Sequence, residues 1–106
     1  MTQPKQLSAE AFNALTAEFI HIANAQAKAV DSFSISEGAF LHAAACYSAF
    51  ITAVGEPTGA DMLAKKEDMV ARISARFREY LDIHYIEYAK NFDTYMAKVP
   101  SEKDKG

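Results

Sequence analysis

Tryptophan is missing from this 106-residue sequence, and cysteine, proline and glycine are scarce at one, three and four residues. The single thiol, Cys46, cannot form an intramolecular disulfide, so the chain is expected to rely on its own core in a reducing compartment, the cytoplasm. So little glycine and proline excludes a loop-rich or low-complexity chain. No apolar run is long either. The longest, Ala39 to Val54, is broken by His42, Ser48 and Thr52, and it falls short of the roughly 20 residues a bilayer requires, which argues against a membrane partner. The opening Met-Thr-Gln-Pro-Lys-Gln has neither the basic start nor the apolar stretch of a signal peptide. Positive charge is not in excess. Eleven Lys and Arg stand against fourteen Asp and Glu, and residues 1–59 hold five acids with only Lys5 and Lys28. A chain without a basic face or arm is a poor ligand for nucleic acid.

What remains is helical text. Apolar residues make up 50% and charged residues 24%, the composition of a globular domain able to bury a core. Ser8 is placed as an N-cap, with Leu7 and Phe12 as a hydrophobic staple and Glu10 in the first turn. Phe12, Leu15, Phe19, Ile22 and Ala23 then recur at three- and four-residue steps, which predicts a first helix over 9–30 with that face buried. Asp31 to Ser34 reads as a connection. The second helix has two candidate starts, a capping box at Ser34-x-x-Glu37 and a Ser36 cap with an Ile35–Phe40 staple; the second is preferred, giving 37–54.

This helix is apolar nearly all round, which implies a central position. Its bulky side carries Phe40, Tyr47, Phe50, Ile51 and Val54, and its smooth side Gly38, Ala45, Ala49 and Thr52. Gly55 and Pro57 end it. Thr58 with Asp61 caps a third helix that meets no further Gly or Pro between Gly59 and Pro100, so it is predicted over 59–98, with Asp61–Lys65, Asp68–Arg72 and Arg78–Asp82 paired along it. The ends, 1–7 and 100–106, are expected to fray.

The third helix is too long for its domain. At 1.5 Å per residue it would reach about 60 Å, whereas a compact chain of this size is roughly 35 Å across. It must bend, break or project. Its stripe runs through Met62, Met69, Ile73, Phe77, Tyr80, His84, Tyr88, Phe92, Tyr95 and Val99, and it is richest in aromatics between Phe77 and Met96. The expected solution is packing against a second copy through Phe77, Tyr85, Tyr88, Phe92 and Tyr95. The alternative is a kink near Asp82–His84 that returns the helix to its own core.

Two stretches carry a family resemblance. Phe19-Ile20-His21-Ile22-Ala23-Asn24-Ala25-Gln26 resembles a helix of a small bacterial family filed as a domain of unknown function. Ser36 through Ala43-Ala44-Ala45-Cys46-Tyr47-Ser48-Ala49-Phe50 resembles the helix that follows it there. The resemblance would cover about residues 12–95. It implies a small helical cytoplasmic protein and no particular activity.

Chemistry-bearing residues are few. Glu18-x-x-His21 has the spacing of di-iron ligands, but a full site needs a second such pair. His42 and Cys46 lie one turn apart without the further ligands zinc requires, and Cys46 is expected to be a small buried hydrophobe. No metal site and no cofactor are therefore expected. Arg72 and Arg76 stand one turn apart and would suit a carboxylate or phosphate, or simply pair with neighbouring acids. His84 falls within the aromatic stripe beside Tyr80, Leu81 and Tyr88, where burial would tune its titration. No phosphate loop, dinucleotide fingerprint or nucleophile elbow is present, so no catalytic residue is assigned.

The expectation is an all-α, three-helix single domain. It is a non-enzymatic interaction or assembly module, paired as a homodimer and open to a further protein partner. The alternative is a small-ligand or metal-binding protein, even an enzyme, with a pocket near His84, Tyr80, Tyr88 and His42.

Overall fold

A computed structural model describes residues 6–99. The frayed ends expected at 1–7 and 100–106 fall outside that range apart from Gln6 and Leu7, as does Pro100. Among the described residues there are five helices and no strand: α1 Ala9–Val30, α2 Phe33–Val54, α3 Gly59–Ala64, α4 Lys66–Lys90 and α5 Phe92–Met96. The chain divides within α2 into two compact units, one ending at His42 and the other beginning at Ala43.

In the first unit α1 and α2 meet along the turns that flank their connection. Ser8 caps α1 by accepting from the Ala11 N–H at 3.1 Å, and α1 has the predicted limits. It stops because Asp31 takes up a left-handed conformation, φ 55°, which turns the Asp31 and Ser32 amides onto the Lys28 and Ala27 carbonyls. This closing motif usually employs Gly, and Asp is among the side chains that tolerate it.

The connection is shorter than expected, and α2 starts at Phe33 instead of Glu37. Ser32 is its cap, with the hydroxyl accepting from the Ile35 N–H at 3.1 Å. Neither Ser34 nor Ser36 has that task. Ser36 is buried, and its hydroxyl donates across to the Ala23 carbonyl of α1 at 2.6 Å. Replacing Ser32 with alanine should cost about 1 kcal/mol of stability, the usual worth of a side-chain cap. Urea denaturation checks this, and an unchanged midpoint would contradict the assignment.

The side of α1 that meets α2 differs from the predicted one. Ala27 is 6% exposed and Ala23 half-buried, while Phe12, Leu15, Phe19 and Ile22 remain exposed. Their stripe lies roughly a quarter turn round the helix from the contact, at 100° per residue. Small side chains let the two backbones approach, and Phe19 rests on Phe40 with ring centroids 6.4 Å apart.

In the second unit, α2 ends at Val54, with Gly55 and Glu56 tightening the last turn onto Thr52 and Ala53. Thr58 caps α3 as expected by accepting from the Asp61 N–H at 3.1 Å, and its hydroxyl donates to the Asp61 carboxylate at 2.7 Å. The third predicted helix is in fact three. The breaks fall at Lys65 and Asn91, and α4 passes unbroken through Asp82–His84. At Lys65 the ammonium reaches back to Glu56 at 3.0 Å, not to Asp61, whose carboxylate is already engaged by Thr58. At Asn91 the side-chain amide and the backbone N–H both donate to the Glu87 carbonyl, a competition that interrupts regular helix. The Asp68–Arg72 and Arg78–Asp82 pairs form at 3.2 and 3.8 Å.

Candidate interaction surface

Among the described residues no aromatic side chain is buried. Among the described residues Ala27 is the one buried apolar side chain, while 24 large apolar residues are exposed. In the second unit the smooth side of α2 does approach another element. Ala45, Ser48, Ala49 and Thr52 face Met62 and Leu63 of α3 and Lys66, Met69, Val70, Ile73 and Ser74 of α4 across an apolar cleft of about 470 Å³. The bulky side, expected inside, is outside. Tyr47, Phe50, Ile51 and Val54 are all exposed, with Tyr47 and Phe50 in tilted contact at 6.2 Å. A helix that is apolar all round has two faces to cover, and α3 with α4 lines the cleft on one. That all-round pattern was the sequence signal for this second exposed face.

The α4 stripe has the same history. Its first turns, from Lys66 to Ser74, line the cleft. Beyond Ser74 the stripe continues through Phe77, Tyr80, His84 and Tyr88, and every residue from Leu81 to Lys90 is exposed. Among the described residues Tyr85 is the most open of the large apolar side chains at 72%. Phe92 is exposed as well. Tyr95 differs. It is half-buried, its ring lies 4.4 Å from that of Tyr88, and its hydroxyl donates to the Glu87 carboxylate at 2.7 Å. In a straight helix residues seven apart are separated by about 10 Å along the axis, so the bend at Asn91 folds Tyr95 back onto α4.

The bond to Glu87, more than desolvation, raises the Tyr95 hydroxyl above its ordinary value. Tyrosine is neutral when protonated, so this contact is fully formed below the ordinary tyrosine range and is lost as pH rises through the raised value. A difference ultraviolet titration of the protein against Tyr95→Phe should show Tyr95 ionising at higher pH than a free tyrosine, and at lower pH once Glu87 is changed to Gln. Tyr95 titrating like free tyrosine would contradict the bond.

The other sequence candidates stay apart. His84, Tyr80 and Tyr88 are exposed on α4; His42 is exposed and belongs to the first unit. None of the four lines the cleft described above or the smaller one, about 340 Å³, between α1 and α2 beside Ala27 and Phe40. The burial expected at His84 is absent because the elements around α4 line only its first turns. Cys46 is exposed, not buried. Arg72 is engaged by Asp68 and Arg76 reaches the Tyr80 hydroxyl at 3.5 Å. Among the described residues no three His, Cys, Asp or Glu side chains converge as metal ligands, and no helix is long and apolar enough to cross a membrane.

Comparison with curated proteins and with solved structures gives no significant match. One family matches, described as "Protein of unknown function (DUF3144)", over residues 12–89. That is most of the chain, including α2, α3 and nearly all of α1 and α4. The chain belongs to the DUF3144 family of proteins of unknown function.

Proposed function

We propose that this chain is a non-enzymatic interaction or assembly module that pairs as a homodimer in the cytoplasm, with the aromatic face of α4 and α5 as its contact surface. One observation carries the reading: Phe77, Tyr80, Leu81, Tyr85 and Tyr88 of α4 and Phe92 at the start of α5 are all exposed. Fully burying a side chain of this size contributes about 1.5–3 kcal/mol, and whole domains are stable by only about 5–15 kcal/mol. Covering half of each of these six surfaces therefore matters to whether the chain folds. Large exposed apolar surface marks protein contacts.

Thermal unfolding at several protein concentrations tests the reading. Association stabilises by mass action, so Tm should rise with concentration; a concentration-independent Tm would count against a dimer.

A second reading, small-ligand binding, has its own observation. The apolar cleft between α2 and the α3–α4 pair has the volume of a site for a drug-sized molecule. The pocket would then lie at Ala49, Met62, Met69 and Ile73, not around His84. Thermal-shift screening against metals and common metabolites separates the readings, because a ligand selective for the folded chain raises Tm at fixed protein concentration.

A further inference from the structure

The cleft between α2 and the α3–α4 pair is aliphatic. Met62 and Leu63 of α3 and Met69, Val70 and Ile73 of α4 line it together with small residues of α2, and no aromatic ring is among the described residues around it. A ligand there finds nothing to stack on, and the two methionines adapt to the contour of a flexible chain. Along α4 the lining runs from Lys66 to Ser74, a rise of about 12 Å at 1.5 Å per residue. An extended alkyl chain with ordinary C–C bonds advances about 1.25 Å per carbon, so about ten carbons span that length.

Among the described residues that line the cleft, Lys66 is the one that carries charge, and it stands at one end of the α4 run. Its ammonium meets the Glu67 carboxylate at 3.6 Å with both side chains well exposed, and a pair of that kind is worth little. Two neighbouring acids are engaged elsewhere, Asp61 by Thr58 and Glu56 by Lys65. The lysine stem can follow the apolar lining while its head stays in water. One monovalent cation at the end of an aliphatic trough matches one carboxylate. A phosphate monoester, with close to two negative charges at neutral pH, would keep one of them unpaired.

We propose that this cleft takes the tail of an unbranched aliphatic carboxylate of about ten carbons, with the carboxylate at the Lys66 ammonium. At about 470 Å³ the cleft suits a small molecule, whereas a specific protein partner covers about 800 Å² on each side. Ala45, Ala49, Leu63 and Lys66 are exposed, so the site is open to solvent and its occupant exchanges freely instead of staying with the purified chain. The assignment rests on the small-ligand reading above and adds to it a ligand class. It is compatible with the dimer, whose contact surface begins at Phe77, beyond the cleft.

Isothermal titration calorimetry of the full chain with hexanoate, octanoate, decanoate and dodecanoate, each below its micelle-forming concentration, tests the assignment. Each added methylene should tighten binding about fourfold, and the gain should stop beyond decanoate, where the tail outruns the lining. Lys66→Met should weaken decanoate by up to about fivefold, the scale of an exposed ion pair. It should also erase the preference for decanoate over decyltrimethylammonium, which has the same tail and the opposite charge. Ala49→Phe fills the cleft from an exposed position and should abolish binding. Decanoate that binds no better than hexanoate, no better than decyltrimethylammonium, or equally well to Ala49→Phe overturns the proposal. If decanoate fails while another compound binds the parent and not Ala49→Phe, the ligand class is wrong and the small-ligand reading stands. If no compound in the thermal-shift screen distinguishes the parent from Ala49→Phe either, both fall.

Discussion

Tyr85→Glu is expected to convert the dimer into monomers without damaging the isolated chain. Among the described residues Tyr85 is the most exposed large apolar one, so within one copy the substitution removes little packing. Glutamate is also the better helix former. In an interface the balance reverses, because an aromatic anchor is lost and a carboxylate is desolvated without a partner. A loss of about 2–4 kcal/mol is the usual scale for a central aromatic, which raises Kd by roughly 30- to 1,000-fold. Sedimentation equilibrium reads this directly. Helical content should fall at the same time, since an uncovered helical segment is marginal in water. A Tyr85→Glu protein as dimeric as the parent would mean that the contact surface has been placed on the wrong face.

The second large effect belongs to the first unit. Ala27→Leu should destabilise the chain by about 1–3 kcal/mol, the cost of forcing extra methylene groups against the neighbouring helix. Ala27 is the one apolar residue buried among those described, and it sits where α1 approaches α2. A leucine there pushes the helices apart and strains the short bond from Ser36 to the Ala23 carbonyl. Ala25→Leu, on the exposed side of the same helix, is the control and should leave the denaturation midpoint nearly unchanged. Equal effects at the two positions would show that the small-residue contact does not set the spacing of the pair.

What could be read from the sequence was local. The Ser8 and Thr58 caps and the limits of α1 follow from side chains acting on backbone groups within one turn, and they formed as read. The start of α2 did not. Ser34 and Ser36 have the spacing of caps, but Ser36 is taken by a bond to the other helix, and Ser32 caps without the Glu that would have advertised it. The breaks at Lys65 and Asn91 carry no Gly or Pro. One comes with a distant partner, Glu56, and the other with a side-chain amide competing for a helix carbonyl.

Periodicity identified the apolar faces of α1, α2 and α4 but said nothing of which neighbour covers them. The expected burial of Phe12, Leu15, Tyr47, Phe50 and His84 assumed a neighbour for each. In the first unit Ala23 and Ala27 take the contact, in the second Ser48, Thr52, Met62, Met69 and Ile73 are half-buried, and those other side chains stay open. The family assignment, by contrast, was legible in the wording of α1 and α2 themselves.

The central claim is that a second copy covers the aromatic face of α4, and native mass spectrometry of the untreated full chain tests it most directly. The account predicts a species at twice the 11.7 kDa chain mass, with no additional mass. A monomer, or a chain that reproducibly carries a metal or small organic molecule, would contradict it.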